Sequence, residues 1–228
     1  MNACFITGTD TGVGKTLVAC ALLHALRRRH ARVVGMKPVA AGLVDTPQGP
    51  DSEDVLALRA ASTVRVSPAL DCPVRLPDPL SPHLAAERAG VQIDLEHLLA
   101  CQRALAAQAD AVVVEGAGGF LVPLSARHSG ADLARAMGLP VVLVVGMRLG
   151  CLNHAVLTAE AVRARGLTLA GWVANRIDPA MAAFDGNLAY LREHLGAPLL
   201  GVLPHQAVPD AVAAAACLHL PGDSAANP

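Results

Sequence analysis

Between the apolar run Ala3 to Thr7 and a second apolar stretch opening at Thr16 lies the segment Gly8-Thr9-Asp10-Thr11-Gly12-Val13-Gly14-Lys15-Thr16. A strand, a glycine-rich turn and a helix in immediate succession restrict the chain to few folds, because the turn must sit at a sheet edge and open a helix. Glycines let backbone N–H groups approach an anion closely, and the helix N-terminus adds positive potential. Lys15 then reaches outer phosphates and the Thr16 hydroxyl can ligate a divalent cation. The usual spacing would put the first glycine at position 9, where Thr9 stands; Gly8 precedes it, so the loop is a variant. The segment reads as a cradle for ATP or GTP.

The rest of the chain fits the same plan. Short β-rich apolar segments recur at Ala3 to Thr7, Arg32 to Val39, Ala111 to Glu115, Val141 to Gly146, Leu169 to Asn175 and Leu199 to Leu203. Each reads as a strand covered on both faces. Amphipathic stretches at Thr16 to Arg28, Asp94 to Gln108, Leu152 to Arg165 and around Leu188 to Leu195 alternate with them. The expected fold is α/β: a single-domain P-loop NTPase, a mostly parallel sheet with helices on both faces. Residues 1–220 are expected to form that domain, and 221–228, small and polar, a flexible tail. Ser67 to Pro82 holds five prolines and is expected to be an extended loop bordering a binding site.

Of 18 basic residues, only Lys15 and Lys37 are lysines. Where arginine serves everywhere else, these two positions call for a compact ammonium rather than a planar fork. A biased composition explains few lysines but not their placement. Lys37 stands among apolar neighbours in Gly35-Met36-Lys37-Pro38-Val39 and is expected to face the same anionic centre. The net charge of −1 and the scattered arginines leave no footprint for nucleic acid; the run Arg27 to Arg29 reads as a solvated helix end. Apolar runs are far shorter than the roughly 20 residues of a bilayer crossing. Six cysteines without a C-x-x-C pair, and no signal peptide, point to reduced thiols in the cytoplasm.

Carboxylates complete the pattern. The run Ala111 to Val114 ends in Glu115, at the sheet edge where the loop's phosphates would sit. Gly116-Ala117-Gly118-Gly119 lets backbone pass close to a ligand, or makes a tight turn. Asp51 and Ser52 open another helix and read as N-caps, while Asp54 falls in its first turn, where a carboxylate also favours the helix dipole. Nine histidines show no metal-like clustering, and His83 reads as a surface or hydrogen-bonded residue.

Taken together, the loop, Lys37-Pro38-Val39, Glu115 to Gly119, Gly150-Cys151-Leu152-Asn153-His154 and Gly171-Trp172-Val173-Ala174-Asn175 resemble the dethiobiotin synthetases from the first strand to about Pro204. That resemblance implies conversion of 7,8-diaminononanoate, carbon dioxide and MgATP to dethiobiotin, ADP and phosphate, through a carbamate and a carbamic-phosphoric anhydride. It implies Lys37, Lys15 and Thr11 as catalytic residues, and Thr16, Asp54 and Glu115 as ligands of Mg2+. The nucleotide would be held by Gly12, Val13, Gly14, Lys15, Thr16 and Leu17. Further contacts would come from Asp54, Glu115, Gly116, Ala117, Gly118, Asn175, Arg176, Pro204, His205 and Gln206. For Asn175 alone, a strand-end turn is the competing reading. The substrate would meet Lys37, Ala41 and the helix start Gly150, Cys151, Leu152 and Asn153 of a neighbouring subunit, which implies a homodimer. Two positions depart from the family pattern: Ala41 stands where a hydroxyl residue is common, and Gly12 where some members have an acid.

Two other readings compete. A cobyrinate-type amidating relative would carry a glutaminase domain, absent at this length. A nucleotide-switched partitioning ATPase would usually place another lysine early in the loop, where Thr9 and Asp10 stand, and no basic amphipathic tail follows for membrane docking.

Overall fold

The structure is a computed structural model and describes residues 1–220. The tail expected at 221–228 lies outside the described residues. In chain order the elements are β1 (Ala3–Gly8), α1 (Lys15–Leu26), β2 (Val33–Met36), β3 (Val39–Ala41), α2 (Glu53–Ala61), α3 (Pro68–Asp71), β4 (Val74–Leu76) and α4 (Pro82–Ala89). They continue with α5 (Leu95–Ala106), β5 (Ala111–Gly119), α6 (Gly130–Met137), β6 (Val141–Gly146), α7 (Cys151–Ala164), β7 (Leu169–Asn175), α8 (Phe184–His194), β8 (Leu199–Leu203) and α9 (Ala211–Ala216).

Six strands form one parallel sheet in the order β2-β5-β1-β6-β7-β8. Side chains alternate across it, as the two-residue period of a strand requires. Phe5, Val112, Val114, Leu143 and Trp172 enter the core beneath α5, α6, α7 and α8, while Cys4, Ile6, Val113, Val142 and Val144 pack against α1 and α9. Both faces are thus covered, which is why the strand segments read as unbroken apolar runs. All strands run the same way, so every strand end that carries a candidate residue lies on one edge of the sheet.

Two expectations need correction. The strand expected from Arg32 to Val39 is two strands: β2 stops at Met36, and Val39–Ala41 pairs instead with β4 in a separate two-stranded parallel sheet. Pro38 has no N–H and cannot continue the first ladder. The proline-dense tract is not simply an extended loop either. It folds as α3, β4 and the start of α4. Its prolines are compatible with helix because Pro68 and Pro82 occupy first-turn positions, where a missing N–H costs nothing; the Ser67 side chain accepts from the Ala69 N–H ahead of the first of them.

Candidate active site

The glycine loop joins β1 to α1 at the carboxyl edge of the sheet. Gly14 takes the left-handed conformation, φ 87°, and a Cβ there would lie 2.2 Å from the Asn175 amide nitrogen, so both backbone and space require glycine. That amide nitrogen donates to the Val13 carbonyl at 2.9 Å and supports the loop from behind. The Val13 side chain is buried between β1 and β6: a Cβ on Gly8 would meet one of its methyls at 2.6 Å and a Cβ on Gly146 the other at 2.7 Å.

Beyond the loop, β5 arches away from β1. Ile6 pairs with Glu115 but Gly8 pairs with Gly119, so the residues between bulge toward the open side. Gly116 packs on the Phe5 ring, while Ala117 and Gly118 face a cavity of about 780 Å³. The same cavity is lined by Thr11, Gly12, Gly14, Lys15, Thr16 and Lys37, and by Ala41, Asp54 and Glu115. Four of these side chains touch one another. The Thr16 hydroxyl lies 2.7 Å from Asp54 Oδ1 and 2.9 Å from Glu115 Oε1. The Lys37 ammonium donates to Asp54 Oδ2 at 2.6 Å and to Glu115 Oε1 at 2.7 Å. Residues up to 99 positions apart in the chain thus meet within hydrogen-bond distance.

Burial sets the electrostatics. For Lys37, burial alone would depress the pKa, but the Glu115 and Asp54 carboxylates outweigh it and hold the ammonium above the ordinary lysine value. Burial raises the Glu115 pKa against the pull of Lys37. Asp54 is also opposed by burial, yet Lys37 and the Thr16 hydroxyl keep it below the usual carboxylate value. Lys15 is pushed below the ordinary lysine value, first by burial and then by Lys37. Its ammonium donates to the Asp10 carbonyl at 3.0 Å, folded back onto the loop.

The remaining expected residues lie around this centre rather than in it. Arg176 follows β7, donates to the Pro179 carbonyl at 3.1 Å and stacks 4.9 Å from the Phe184 ring. Pro204 and His205 are exposed after β8, and Gln206 accepts from the Asp210 N–H at 2.8 Å. Leu17 is half-buried in the first turn of α1. Gly150, Cys151, Leu152 and Asn153 open α7, with Gly150 at φ 92° and Cys151 buried. They do not line the cavity. His83 pairs with the Ser81 hydroxyl at 3.2 Å, and its N–H donates to the Pro123 carbonyl. Asp51, expected as an N-cap, instead receives Arg59 at 2.5 Å, and Ser52, which does precede α2, makes no side-chain cap bond.

Val39, Pro79, Leu80, Ser81, Pro82 and Val122 also line the wall, and none of them was expected as a site residue. The proline-dense tract, expected to border a binding site, supplies Pro79 to Pro82, while Val39 and Val122 lie outside it.

Residues 2–212 match a family model described as an AAA domain. The chain is 57% identical over 223 residues to an ATP-dependent dethiobiotin synthetase, BioD, of Aromatoleum aromaticum, covering 97% of this chain and 98% of that protein. The chain belongs to the dethiobiotin synthetase family. A BioD of Ralstonia nicotianae is 56% identical over 212 residues, 93% of each chain. Among solved structures, the cell division ATPase MinD of Pyrococcus furiosus superposes with a TM-score of 0.57 at 18% identity, over 94% of this chain and 89% of that one. A ParA family ATPase from Chlorobium tepidum gives 0.53 at 14%, over 91% and 86%. At such identities these neighbours establish the P-loop NTPase fold, which the synthetase family shares with them.

Proposed function

We infer that the chain is an ATP-dependent ligase that builds dethiobiotin from 7,8-diaminononanoate and carbon dioxide, with ADP and phosphate as the other products. Family membership supports the reaction, and one observation supports its location: both lysines of the chain, Gly12 and Gly14 of the loop and the two acids border a single cavity.

The chemistry suits these residues. One substrate amine adds to carbon dioxide and loses a proton, giving a carbamate. A carbamate oxygen then attacks the γ-phosphorus and the bond to ADP breaks. The second amine attacks the carbonyl carbon of the resulting anhydride, phosphate leaves, and the ureido ring is closed. In the middle step two anions must approach, and the ammonium groups of Lys15 and Lys37 offset their repulsion. Lys37 remains charged at neutral pH because its carboxylate partners raise its pKa. Thr11, on the cavity wall beside the loop, is placed to contact the same oxygens. Holding three reactants in line contributes roughly 7–11 kcal/mol to lowering the barrier, more than the few kcal/mol of a single donor.

The oxygen set of Thr16, Asp54 and Glu115 fits Mg2+, a hard cation that takes hydroxyl and carboxylate ligands. Glu115 Oε2 is buried without a hydrogen-bond partner, an atom such an ion would satisfy. When bound there, Mg2+ would neutralise charge on the β- and γ-phosphates. Asn175, Arg176 and the Pro204 to Gln206 turn share the sheet edge with the loop, which supports their assignment to the base side of the nucleotide. The N–H groups of the first turn of α7 suit the substrate carboxylate, although that of Cys151 donates to the Arg148 carbonyl at 3.0 Å. These residues do not line their own chain's cavity, which favours a homodimer in which each subunit offers Gly150 to Asn153 to the other's site. Residues 1–220 would act as one domain, in a cytoplasmic setting that keeps the six thiols free.

The test is phosphate release from ATP that depends on both bicarbonate and 7,8-diaminononanoate, with dethiobiotin identified by mass. Turnover that ignores the diamine and yields no such product would reject the reading.

A further inference from the structure

Behind the cavity, Lys37 and Asp54 are tied together a second time. Lys37 follows the last residue of β2, and its backbone N–H donates out of the main sheet to the Asp71 carbonyl at 2.8 Å. Asp71 is the last residue of α3, a helix of only four residues, too short to hold its own position. Its buried carboxylate receives both arms of one guanidinium: Arg59 Nε donates to Oδ2 at 2.6 Å and Nη2 to Oδ1 at 2.7 Å. The remaining Arg59 nitrogen, Nη1, donates to Asp51 Oδ2 at 2.5 Å, two residues before α2 begins. Arg59 lies on α2, the helix that carries Asp54.

The bonds close a ring. It runs from the Asp54 carboxylate to the Lys37 ammonium, from the Lys37 N–H to Asp71, and from Asp71 through Arg59 and α2 back to Asp54. Few side chains could complete it, because a planar fork engages one carboxylate at two points and a second at a third, whereas an ammonium cannot match that geometry. The clamp's acceptors are shielded from solvent, the Asp71 side chain being 4% exposed and the Asp51 side chain 13%, against 29% for Arg59. A second cation, Arg75, stands 3.9 Å from Asp51 and donates to the Pro68 carbonyl, bracing the start of α3.

We propose that Arg59 is a positioning residue: by clamping Asp51 and Asp71 it fixes the separation between the Lys37 ammonium and the Asp54 carboxylate on the cavity wall. The proposal rests on the roles given above to those two residues. Arg59 itself does not line the cavity, so it acts through them.

Arg59→Lys keeps the charge and loses the fork. In this variant kcat for dethiobiotin formation should fall on the order of tenfold, given that a 1 Å displacement can cost about a hundredfold. The Mg2+ concentration for half-maximal ATP binding, read by calorimetry, should rise several-fold as Asp54 drifts. Affinity for ATP in EDTA, which reports the glycine loop alone, should stay within about twofold. A merely structural role would lower the melting temperature and leave all three values untouched below it. Asp71→Asn, which preserves volume and one acceptor, carries the same measurements if Arg59→Lys does not fold; failure of both to fold would make the clamp scaffold and overturn the proposal. So would wild-type kcat and Mg2+ dependence in folded Arg59→Lys, or parallel loss of ATP affinity in EDTA. Lys37→Ala and Asp54→Asn, assayed alongside, separate the two levels. If they leave turnover intact, the assignment of the site fails; if they abolish it while Arg59→Lys is silent, only the clamp fails.

Discussion

The two halves of the sheet's carboxyl edge are built on different terms. On the β1, β2 and β5 side, Thr16, Lys37, Asp54 and Glu115 come from four separate elements and are held by each other's side chains, charge against charge. On the β7 and β8 side, Asn175, Arg176 and Gln206 bond to main-chain groups: the Val13 carbonyl, the Pro179 carbonyl and the Asp210 N–H. The first half is held by ionisable groups, so its bonds depend on their charge state. The second fixes loops in place and gives shape. A site divided in this way keeps reactive charge apart from scaffold, so damage to the two halves should look different.

The largest effect is expected from Lys37→Ala. It removes the counter-ion of a buried carboxylate, so Glu115 must take up a proton or the fold loses about 3–5 kcal/mol. Turnover should fall at least about a hundredfold, while ATP affinity declines much less; steady-state kinetics with a parallel binding titration distinguishes the two. Next come Thr16→Val and Glu115→Gln, which should weaken Mg2+-dependent nucleotide binding by roughly 10–100-fold and leave binding in EDTA closer to normal. Equal losses in all three variants would erase the division between phosphate-activating and cation-holding groups.

A smaller effect probes the other half. Gly14→Ala puts a methyl against the Asn175 amide in a left-handed backbone and should cost about 1–2 kcal/mol from conformation alone, read by thermal denaturation. Asn175→Ala costs about 1 kcal/mol for its lost hydrogen bond. The double variant should be less destabilised than the two losses added, because the clash is gone; strict additivity would show that the amide does not pack against the loop.

The mildest difference is a titration. Lys15 has a folded-state pKa below the ordinary lysine value of 10.5, chiefly through burial. Between the folded and unfolded values the unfolded chain binds the proton that the folded chain has released, so this group's contribution to stability rises with pH there. Phosphate attraction falls over the same window. The alkaline limb of kcat/KM for ATP should therefore begin below the pH at which a free lysine titrates, and a limb at the free-lysine position would contradict burial as its cause.

Much of this was legible before any coordinates. β6, β7 and β8 have the bounds that their apolar runs suggest, because covered parallel strands leave an uninterrupted apolar signature. Lys15, Lys37 and Glu115 stood out by type and context. Asp54 did not, since a carboxylate in the first turn of a helix has a local reason to be there; only the packing of α2 beside α1 and β2 gives it a partner 38 positions away. Arg59 and Asp71 carried no local signal at all, as their bond joins two helices whose relation the chain does not announce. The Pro38 break was readable in principle, for a residue without an N–H cannot sit mid-ladder.

Val13 bears on how the turn keeps its shape. With its two methyls seated where Gly8 and Gly146 leave room, the turn between β1 and α1 is held in shape by the chain's own packing. If a triphosphate seats there as proposed, it meets a backbone already packed in place, and less of the attraction should be lost to conformational entropy.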